Sequence, residues 1–578
     1  MREHRAAADG GTTHVEVAKD RPNGARGGMR VVVDLTRCEG YAQCAFAAPG
    51  VFKMGVADTL HYNPSPNEAE REQVLRAAAA CPVQAIHVSE SGTMNPPLRR
   101  LRPPLRSLPP KAPPRRTQVP RDGGPAAFRR GGRVVVVGAS LAGLAAAAAL
   151  RSEGFSGSLA MIGDEPHETY DRPPLSKDAL AGWVQAERTA LPTLEGIDER
   201  LGVRAVELDL DAKRVHLADG QAVEFDRVLI ATGTRARRWP NEAEAALDGV
   251  MLLRTSDDAA QLRERLAAGP RRVLVIGGGF TGSEIASVCR EIGLAVTVAE
   301  RGPAPLAGAL GGVIGGVAAD LQRDNGVDLR CGVTVTRLDG DARGRLRRAH
   351  LSDGSTLEVG VAVVALGAVR DVEWLRDAGL AATSAGLACD PGCRAYDVNG
   401  LVRDDVFVAG DVGRFPHPLY DYRFLSLEHW GNAIAQARVA AHNMLCEPGD
   451  RWAHLALPIF WSSQFGTNIK AVGVATFADQ LVIAQGSVTE RRFVAVYGEQ
   501  GRIVAAVGFD QAKWLNFYAR LIDAGAPFPP AYRTFDRRTA GDPVPAEMPR
   551  RARVRELEVV ITGQEPWERR ASWVERSR

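Results

Sequence analysis

The sequence predicts an α/β protein. Two Rossmann-like dinucleotide-binding domains are flanked by an N-terminal α+β module and a C-terminal α+β domain. Two stretches predict the central pair. Val134–Leu150 reads VVVVGASLAGLAAAAAL: four valines, a glycine turn, then an Ala/Leu-rich run. Residues 272–284 read RVLVIGGGFTGSE and repeat that order. An unbroken β-branched run is the pattern of a strand covered on both faces in a parallel sheet. Ala and Leu are strong helix formers.

Bulk properties narrow the class. At 578 residues the chain has room for about three to four domains. It is 45% hydrophobic and 24% charged, an ordinary globular balance. A net charge of +3 is too small to argue for nucleic acid. The opening MREHRAAADGG lacks the apolar core of a secretory signal. No run is apolar and long enough to span a bilayer. Eight cysteines in so long a chain do not make a disulfide scaffold. The expectation is a cytoplasmic protein that touches neither membrane nor nucleic acid, a monomer or weak dimer, with clustered cysteines serving as metal ligands.

Residues 1–28 are polar and aperiodic and read as a disordered arm. Residues 29–91 form a module, with strand candidates at Val31–Val33 and Ala85–Val88. Between them lie Cys38, Cys44 and a remote Cys81-Pro82. Bacterial ferredoxins use C-x2-C-x2-C with a distant C-P. Here Tyr41 takes the central position, which leaves three thiolates. Three soft ligands match a 3Fe–4S cluster; a 4Fe–4S cluster with a non-cysteine fourth ligand is the alternative. Zinc, a disulfide and inert buried thiols compete with this, but zinc sites usually want four ligands and no C-x2-C pair is present. Residues 92–130 are a Pro/Arg-rich linker. A random-coil estimate for its ~35 residues spans about 30 Å.

Residues 131–235 and 367–447 read as one domain interrupted by 236–366. In the first turn Gly138 permits the tight bend and Gly143 the close helix–strand approach. Ser140 replaces the second glycine and is small enough to let N–H groups reach a pyrophosphate at the helix start. Asp164, after the next strand, is placed for a ribose hydroxyl. In the second turn Gly277, Gly279 and Gly282 complete G-x-G-x-x-G. Glu300 ends the following strand, where its charge repels a 2′-phosphate and favours NADH over NADPH; the adjacent Arg301 argues the other way.

Further motifs carry a resemblance. They are YDRPPLSK at 170–177, FDRVLIATG at 225–233, VFVAGD at 406–411, EHW at 428–430 and PIFWSSQF at 458–465. Together they resemble the FAD-dependent ferredoxin reductases of oxygenase systems, whose domains are of the glutathione-reductase type. The likeness runs from about Arg133 to about Asp523. The cysteine module, with AAPGVF after Cys44, is similar to single-cluster ferredoxins that feed haem-thiolate monooxygenases.

The resemblance implies FAD contacts from Gly138, Ser140, Ala142, Gly143, Asp164, Arg172, Lys177, Thr232, Gly233, Arg254, Asp411, Glu428, His429 and Trp430. It implies NADH contacts from Gly277, Gly279, Phe280, Gly282, Glu284 and Glu300, with Phe280 gating the nicotinamide. Lys177 and Glu284 are the catalytic candidates, an ion pair beside flavin N5. Cys38, Cys44 and Cys81 are the cluster ligands. No cysteine lies between Cys81 and Cys289, so the dithiol of disulfide reductases of this fold is missing. Electrons must leave singly, and the cysteine module is the acceptor. The onward partner implied is a haem-thiolate monooxygenase of the cytochrome P-450 type.

A ring-hydroxylating dioxygenase is the second reading; its systems more often use Rieske clusters, whose paired histidines are missing here. A low-turnover redox sensor akin to apoptosis-inducing factors is the third. Residues 448–530 read as a smaller domain with strands at Arg492–Tyr497 and Ile503–Val507 and a helix over 511–522. Within it Ser463 and Phe465 replace the family's aspartate and tyrosine, on the side expected to dock the acceptor. Residues 531–578 receive no role. Cys289, Cys331 and Cys446 read as isolated thiols, and the close pair Cys389 and Cys393 has no further ligands near it in sequence.

Overall fold

The structure, a computed structural model, describes residues 29–33, 43–54, 60–81, 85–90, 125–182, 189–531, 541–549, 557–562 and 570–575. The arm, Cys38 and linker residues 91–124 lie outside the described residues.

In the N-terminal module the two expected strands pair antiparallel, Val31 opposite Val88 and Val33 opposite Ile86. Phe52–Met54 and Leu60–Tyr62, not expected from the sequence, pair antiparallel as a separate two-stranded sheet. Helices Gln43–Ala47 and Arg71–Ala80 complete the unit. Val31, Phe52, Val74 and Ala77 are fully buried in a core of their own.

In chain order, the elements that position the site are β1 (Arg133–Val137), α1 (Leu141–Ser152), β2 (Ser158–Ile162), β3 (Arg227–Ile230), β4 (Val273–Ile276), α2 (Phe280–Glu291), β5 (Val296–Glu300), α3 (Ala307–Asp324), β6 (Val361–Val364), β7 (Val402–Val408), α4 (Trp430–Leu445) and β8 (Ile459–Gln464).

The first sheet has six strands in the order Arg394–Tyr396, β7, β3, β1, β2, Asp198–Arg200. All pairings are parallel except the one at the Arg394–Tyr396 edge. Val134–Val137 are at most 2% exposed because helices cover one face and the three-stranded antiparallel sheet Ala205–Asp209, Arg214–Leu217 and Ala222–Glu224 covers the other. Each contributes roughly 1.5–3 kcal/mol relative to an exposed valine. On one face α1 packs against α4, which joins the early and late parts of the chain in a single domain.

The second sheet is five-stranded and parallel, in the order Val250–Met251, β6, β4, β5, Asp328–Cys331. Its strands lie between residues 250 and 364.

The C-terminal domain is a six-stranded antiparallel sheet in the order β8, Thr467–Gly473, Arg502–Phe509, Arg492–Glu499, Gln480–Ser487, Val544–Pro545. Helix Leu515–Asp523 packs on it. Its last strand comes from the stretch the sequence left without a role. Val544 pairs with Leu481 and Pro545 with Gln480, so the chain returns to this sheet beyond residue 530.

Candidate active site

A cavity of about 550 Å³ lies where the three domains meet. Its lining includes Ser140, Ala142, Arg172, Lys177, Thr232, Gly233, Arg254, Gly279, Phe280, Gly282, Glu284, Asp411, Glu428, His429 and Trp430. Fifteen positions chosen from motifs spread over nearly 300 residues thus share one wall.

Three helices start at this cavity, each without a side-chain cap. The N-cap positions are Ser140 for α1, Gly279 for α2 and His429 for α4. Elsewhere Asn241 accepts from the Ala243 and Glu244 N–H groups and Thr255 forms a capping box with Asp258, while α3 and Leu515–Asp523 also start without a side-chain cap. A helix start leaves N–H donors unsatisfied and carries partial positive charge. Three uncapped starts facing one cavity fit phosphate-bearing and anionic ligands, as a flavin dinucleotide and a nicotinamide dinucleotide are.

The glycines of both turns sit at close backbone approaches. Gly138 has φ 120°, and a Cβ there would stand 2.1 Å from the Ala231 carbonyl oxygen. Gly277 has φ 109°, and a Cβ would stand 2.4 Å from the Ala365 carbonyl oxygen. Gly143 and Gly282 bring each helix onto its own turn; a Cβ would lie 1.9 Å from the Gly138 oxygen and 2.1 Å from the Gly277 oxygen respectively. Ser140 sits at φ −119°, extended backbone that needs no glycine.

Lys177 and Glu284 form the expected ion pair, Nζ to Oε2 2.8 Å, with 20% and 6% of their side chains exposed. Two donors missed by the sequence reading complete it. Ser176 Oγ donates to Glu284 Oε2 and Ser462 Oγ to Oε1, each at 2.5 Å. Gln464 Nε2 donates to Ser462 Oγ at 2.9 Å. Ser176 stands next to Lys177 and carried a local signal. Ser462 is 178 residues from Glu284 and carried none.

Trp430 Nε1 donates to Asp171 at 2.8 Å. Burial pushes the Asp171 carboxyl up to about 7, against the Trp430 hydrogen bond and the Lys177 charge. Burial lowers His429 to about 4, so its ring is neutral at pH 7, and its Nδ1 is buried without a partner. Arg254 bonds Asp411 at 3.2 Å, and Arg370 reaches Glu428 at 3.1 Å. Arg172 is clamped by Glu165 at 2.5 Å and by the Tyr170 hydroxyl at 2.9 Å. Thr232 Oγ1 donates to the Asp371 carbonyl at 2.8 Å. Phe280 meets Phe460 edge-on, centroids 4.7 Å apart.

Two predicted carboxylates lie off the cavity wall. Asp164 is exposed beyond the end of β2. Glu300, at the end of β5, accepts from the Gly278 N–H at 2.6 Å and the Gly302 N–H at 2.5 Å. Phe465, which replaces the family's tyrosine, is partly buried against the core of the second dinucleotide unit, and its N–H donates to Ser287 Oγ at 2.7 Å. The substitution sits at a domain seam because β8 packs on α2.

In the N-terminal module Cys44 is buried and Cys81 packs against the same core. Cys81 Sγ accepts the Ala85 N–H at 3.3 Å, a hydrogen bond suited to a thiolate. Two of the three expected ligands therefore share one small core, while Cys38 lies outside the described residues. Among the described residues no group of three or more metal-ligating side chains occurs, and no helix is long and apolar enough to cross a membrane. Cys389 and Cys393 are free, and burial pushes both thiols far up, which suits inert core residues.

Comparison with known proteins gives the same division. Residues 132–437 match the pyridine nucleotide-disulphide oxidoreductase family, residues 459–540 the reductase C-terminal family, and residues 33–88 the 4Fe-4S single cluster domain of ferredoxin I. Rhodocoxin reductase of Rhodococcus erythropolis is 34% identical over 360 residues, covering 61% of this chain and 81% of that protein. The anthranilate 1,2-dioxygenase system ferredoxin--NAD(+) reductase component of Burkholderia cepacia is 35% identical over 408 residues, 68% of this chain and 94% of that protein. Putidaredoxin reductase, solved in covalent complex with putidaredoxin, superposes with a TM-score of 0.64 at 28% identity, covering 68% of this chain and 94% of that one. The chain belongs to the pyridine nucleotide-disulphide oxidoreductase family, as an FAD-dependent ferredoxin reductase that carries its own ferredoxin-type iron–sulfur domain.

Proposed function

We propose that this chain takes electrons from NADH and delivers them one at a time, through its own iron–sulfur module, to a haem-thiolate monooxygenase. The observation that carries the reading is the presence of both redox modules in one chain. The chemistry a bound flavin supplies is the conversion of one hydride into two single electrons.

The chain's own residues do the rest. The start of α2 receives the nicotinamide dinucleotide, and Glu300 holds a negative charge where a 2′-phosphate would otherwise sit, which favours NADH. Phe280, braced by Phe460, closes over the nicotinamide pocket. Lys177 and Glu284 stand beside the flavin N5 position, where the low dielectric strengthens their field. The start of α4, with Glu428, His429 and Trp430, faces the pyrimidine edge, and its dipole favours negative charge there. The start of α1 holds the FAD pyrophosphate, with Asp164 on its ribose; Asp411 holds the ribityl chain. Cys38, Cys44 and Cys81 are the cluster ligands, and three cysteines favour a 3Fe–4S cluster. The proposed units are the module at 29–91, the linker at 92–130, the FAD domain at 131–235 and 367–447, the NAD domain at 236–366, and the C-terminal domain from 448.

Reconstitution tests the reading. The purified chain, NADH and a haem-thiolate monooxygenase should turn over substrate with no added ferredoxin. Turnover that appears only on adding a separate ferredoxin would overturn it. Low-temperature EPR of anaerobic protein separates an oxidised 3Fe cluster from a 4Fe one.

A ring-hydroxylating dioxygenase is the second reading, supported by the similarity to a dioxygenase-system reductase. Turnover with a dioxygenase but not with the monooxygenase would replace the first reading with this one.

A further inference from the structure

The stretch at 544–548 makes contacts that the proposed chemistry does not use. Helix α3 is broken at Gly311, whose φ is 80° and ψ 167°. The break frees the Gly312 N–H from its helical partner, and the Glu547 carbonyl accepts it at 3.0 Å. The tail backbone crosses at the notch itself: a Cβ on Gly311 would stand 2.0 Å from the Ala546 carbonyl oxygen. Ala546 is fully buried, and its N–H donates to the Asp479 carbonyl at 3.0 Å. Glu547 holds φ 53°, a left-handed conformation that non-glycine residues seldom adopt. The tail therefore bridges the C-terminal sheet and α3.

The N-terminus of α3, one turn before the break, rests on the second glycine turn. Leu306, just ahead of the helix, has φ 59°, and its N–H donates to the Gly278 carbonyl at 2.9 Å. Pro305 packs so closely that a Cβ on Gly278 would stand 3.1 Å from its ring. Tyr497 of the C-terminal sheet donates to the Leu310 carbonyl at 2.8 Å, one residue before the notch. A contiguous path runs from the tail at Gly311 and Gly312, through one turn of helix, to the turn at Gly278.

We propose that residues 544–548 are a strap that positions the nicotinamide-dinucleotide turn through α3, with Glu547 as its positioning residue. The inference rests on Gly277–Gly282 being the nicotinamide-dinucleotide site. The strap touches no ligand; it holds α3 in the register that keeps Gly278 in place.

The test is a pair of substitutions in the full-length chain. Glu547→Pro fixes φ near −65° and cannot hold the observed conformation, so the strap lifts. Glu547→Gly adopts positive φ freely and keeps the carbonyl that Gly312 uses. With ferricyanide as acceptor, Glu547→Pro should raise KM for NADH at least about fivefold, the low end of ordinary coupling between sites. Its kcat should stay within about twofold and its FAD content unchanged, the pattern of lost uniform binding. Glu547→Gly should keep the wild-type KM. An unchanged KM in Glu547→Pro, or an equal rise in both variants, overturns the strap. Should the proline variant fail to fold, the wild-type chain supplies the reciprocal measurement. NADH must slow amide exchange at Gly312 and Ala546, because coupling acts equally in both directions; exchange that ignores NADH overturns the proposal. A wild-type chain that binds no NADH overturns the site reading beneath it. NADH binding with an unmoved Glu547→Pro overturns the strap alone.

Discussion

Ser462 Oγ lies 2.5 Å from Glu284 Oε1, so the first strand of the C-terminal domain touches the carboxylate that pairs with Lys177. That carboxylate accepts from three side chains, brought from all three domains: Lys177 and Ser176 from the first, Ser462 from the last, with Glu284 itself on the second. The relationship makes the C-terminal domain part of the site.

Ser462→Ala should therefore slow NADH-driven bleaching of the flavin absorbance while leaving FAD bound. A hydrogen bond to a charged group is worth about 1.5–3 kcal/mol, so a loss of about tenfold to about a hundredfold is expected. Stopped-flow spectroscopy reads it. An unchanged rate would separate the C-terminal domain from the chemistry.

Lys177→Met should cost stability as well as rate. It strands Glu284, which is 6% exposed, without its cation. Removing one partner of a buried pair costs about 3–5 kcal/mol. Denaturant midpoints for Lys177→Met, Glu284→Gln and the double variant check it: the double change should cost less than the sum of the two.

The two glycine turns should fail separately. Gly138→Ala places a Cβ 2.1 Å from the Ala231 oxygen at φ 120°, and the purified protein should be colourless in the flavin region. Gly277→Ala meets the Ala365 oxygen at 2.4 Å with φ 109° and should retain flavin but lose NADH binding. Flavin absorbance and NADH titration read the two outcomes.

Asp171 gives the fold a pH dependence with a definite sign. Burial raises its folded value from 3.8 to about 7, so between those pH values the folded chain holds a proton the unfolded chain has released. Its contribution to stability falls as pH rises through that window and is flat above it. Melting temperatures of Asp171→Asn should decline less than wild type between about pH 5 and about pH 7, since the variant cannot ionise. Parallel curves would show that Asp171 is already ionised.

Cys81→Ser should remove cluster iron without removing NADH-to-ferricyanide activity, because the module has a core separate from the reductase domains. Iron and sulfide analysis beside dye reduction checks it. Loss of both would tie the flavin site to the module's integrity.

Much of this protein was legible in its sequence. Both parallel sheets follow from β-branched runs that admit no wet face, and each glycine turn follows from a backbone contact too close for a Cβ. These are short-range constraints, so they leave a local trace. The pairing of Lys177 with Glu284 was also foreseen, but through resemblance to a family and not through spacing.

What the sequence did not determine depends on distant chain segments meeting. Ser462 looks like any strand serine until β8 packs on α2. Phe465 gives no local sign of packing on the second unit until β8 meets α2. Val544–Pro545 is too short to read as a strand and is one because Leu481 and Gln480 offer a free edge. Asp171 has an ordinary carboxyl in a loop until burial beside Trp430 raises it. Local sequence fixes what a segment can become, through sterics and periodicity. Only tertiary packing decides which polar groups are desolvated together, and that desolvation gives the Glu284 and Asp171 carboxylates their chemistry.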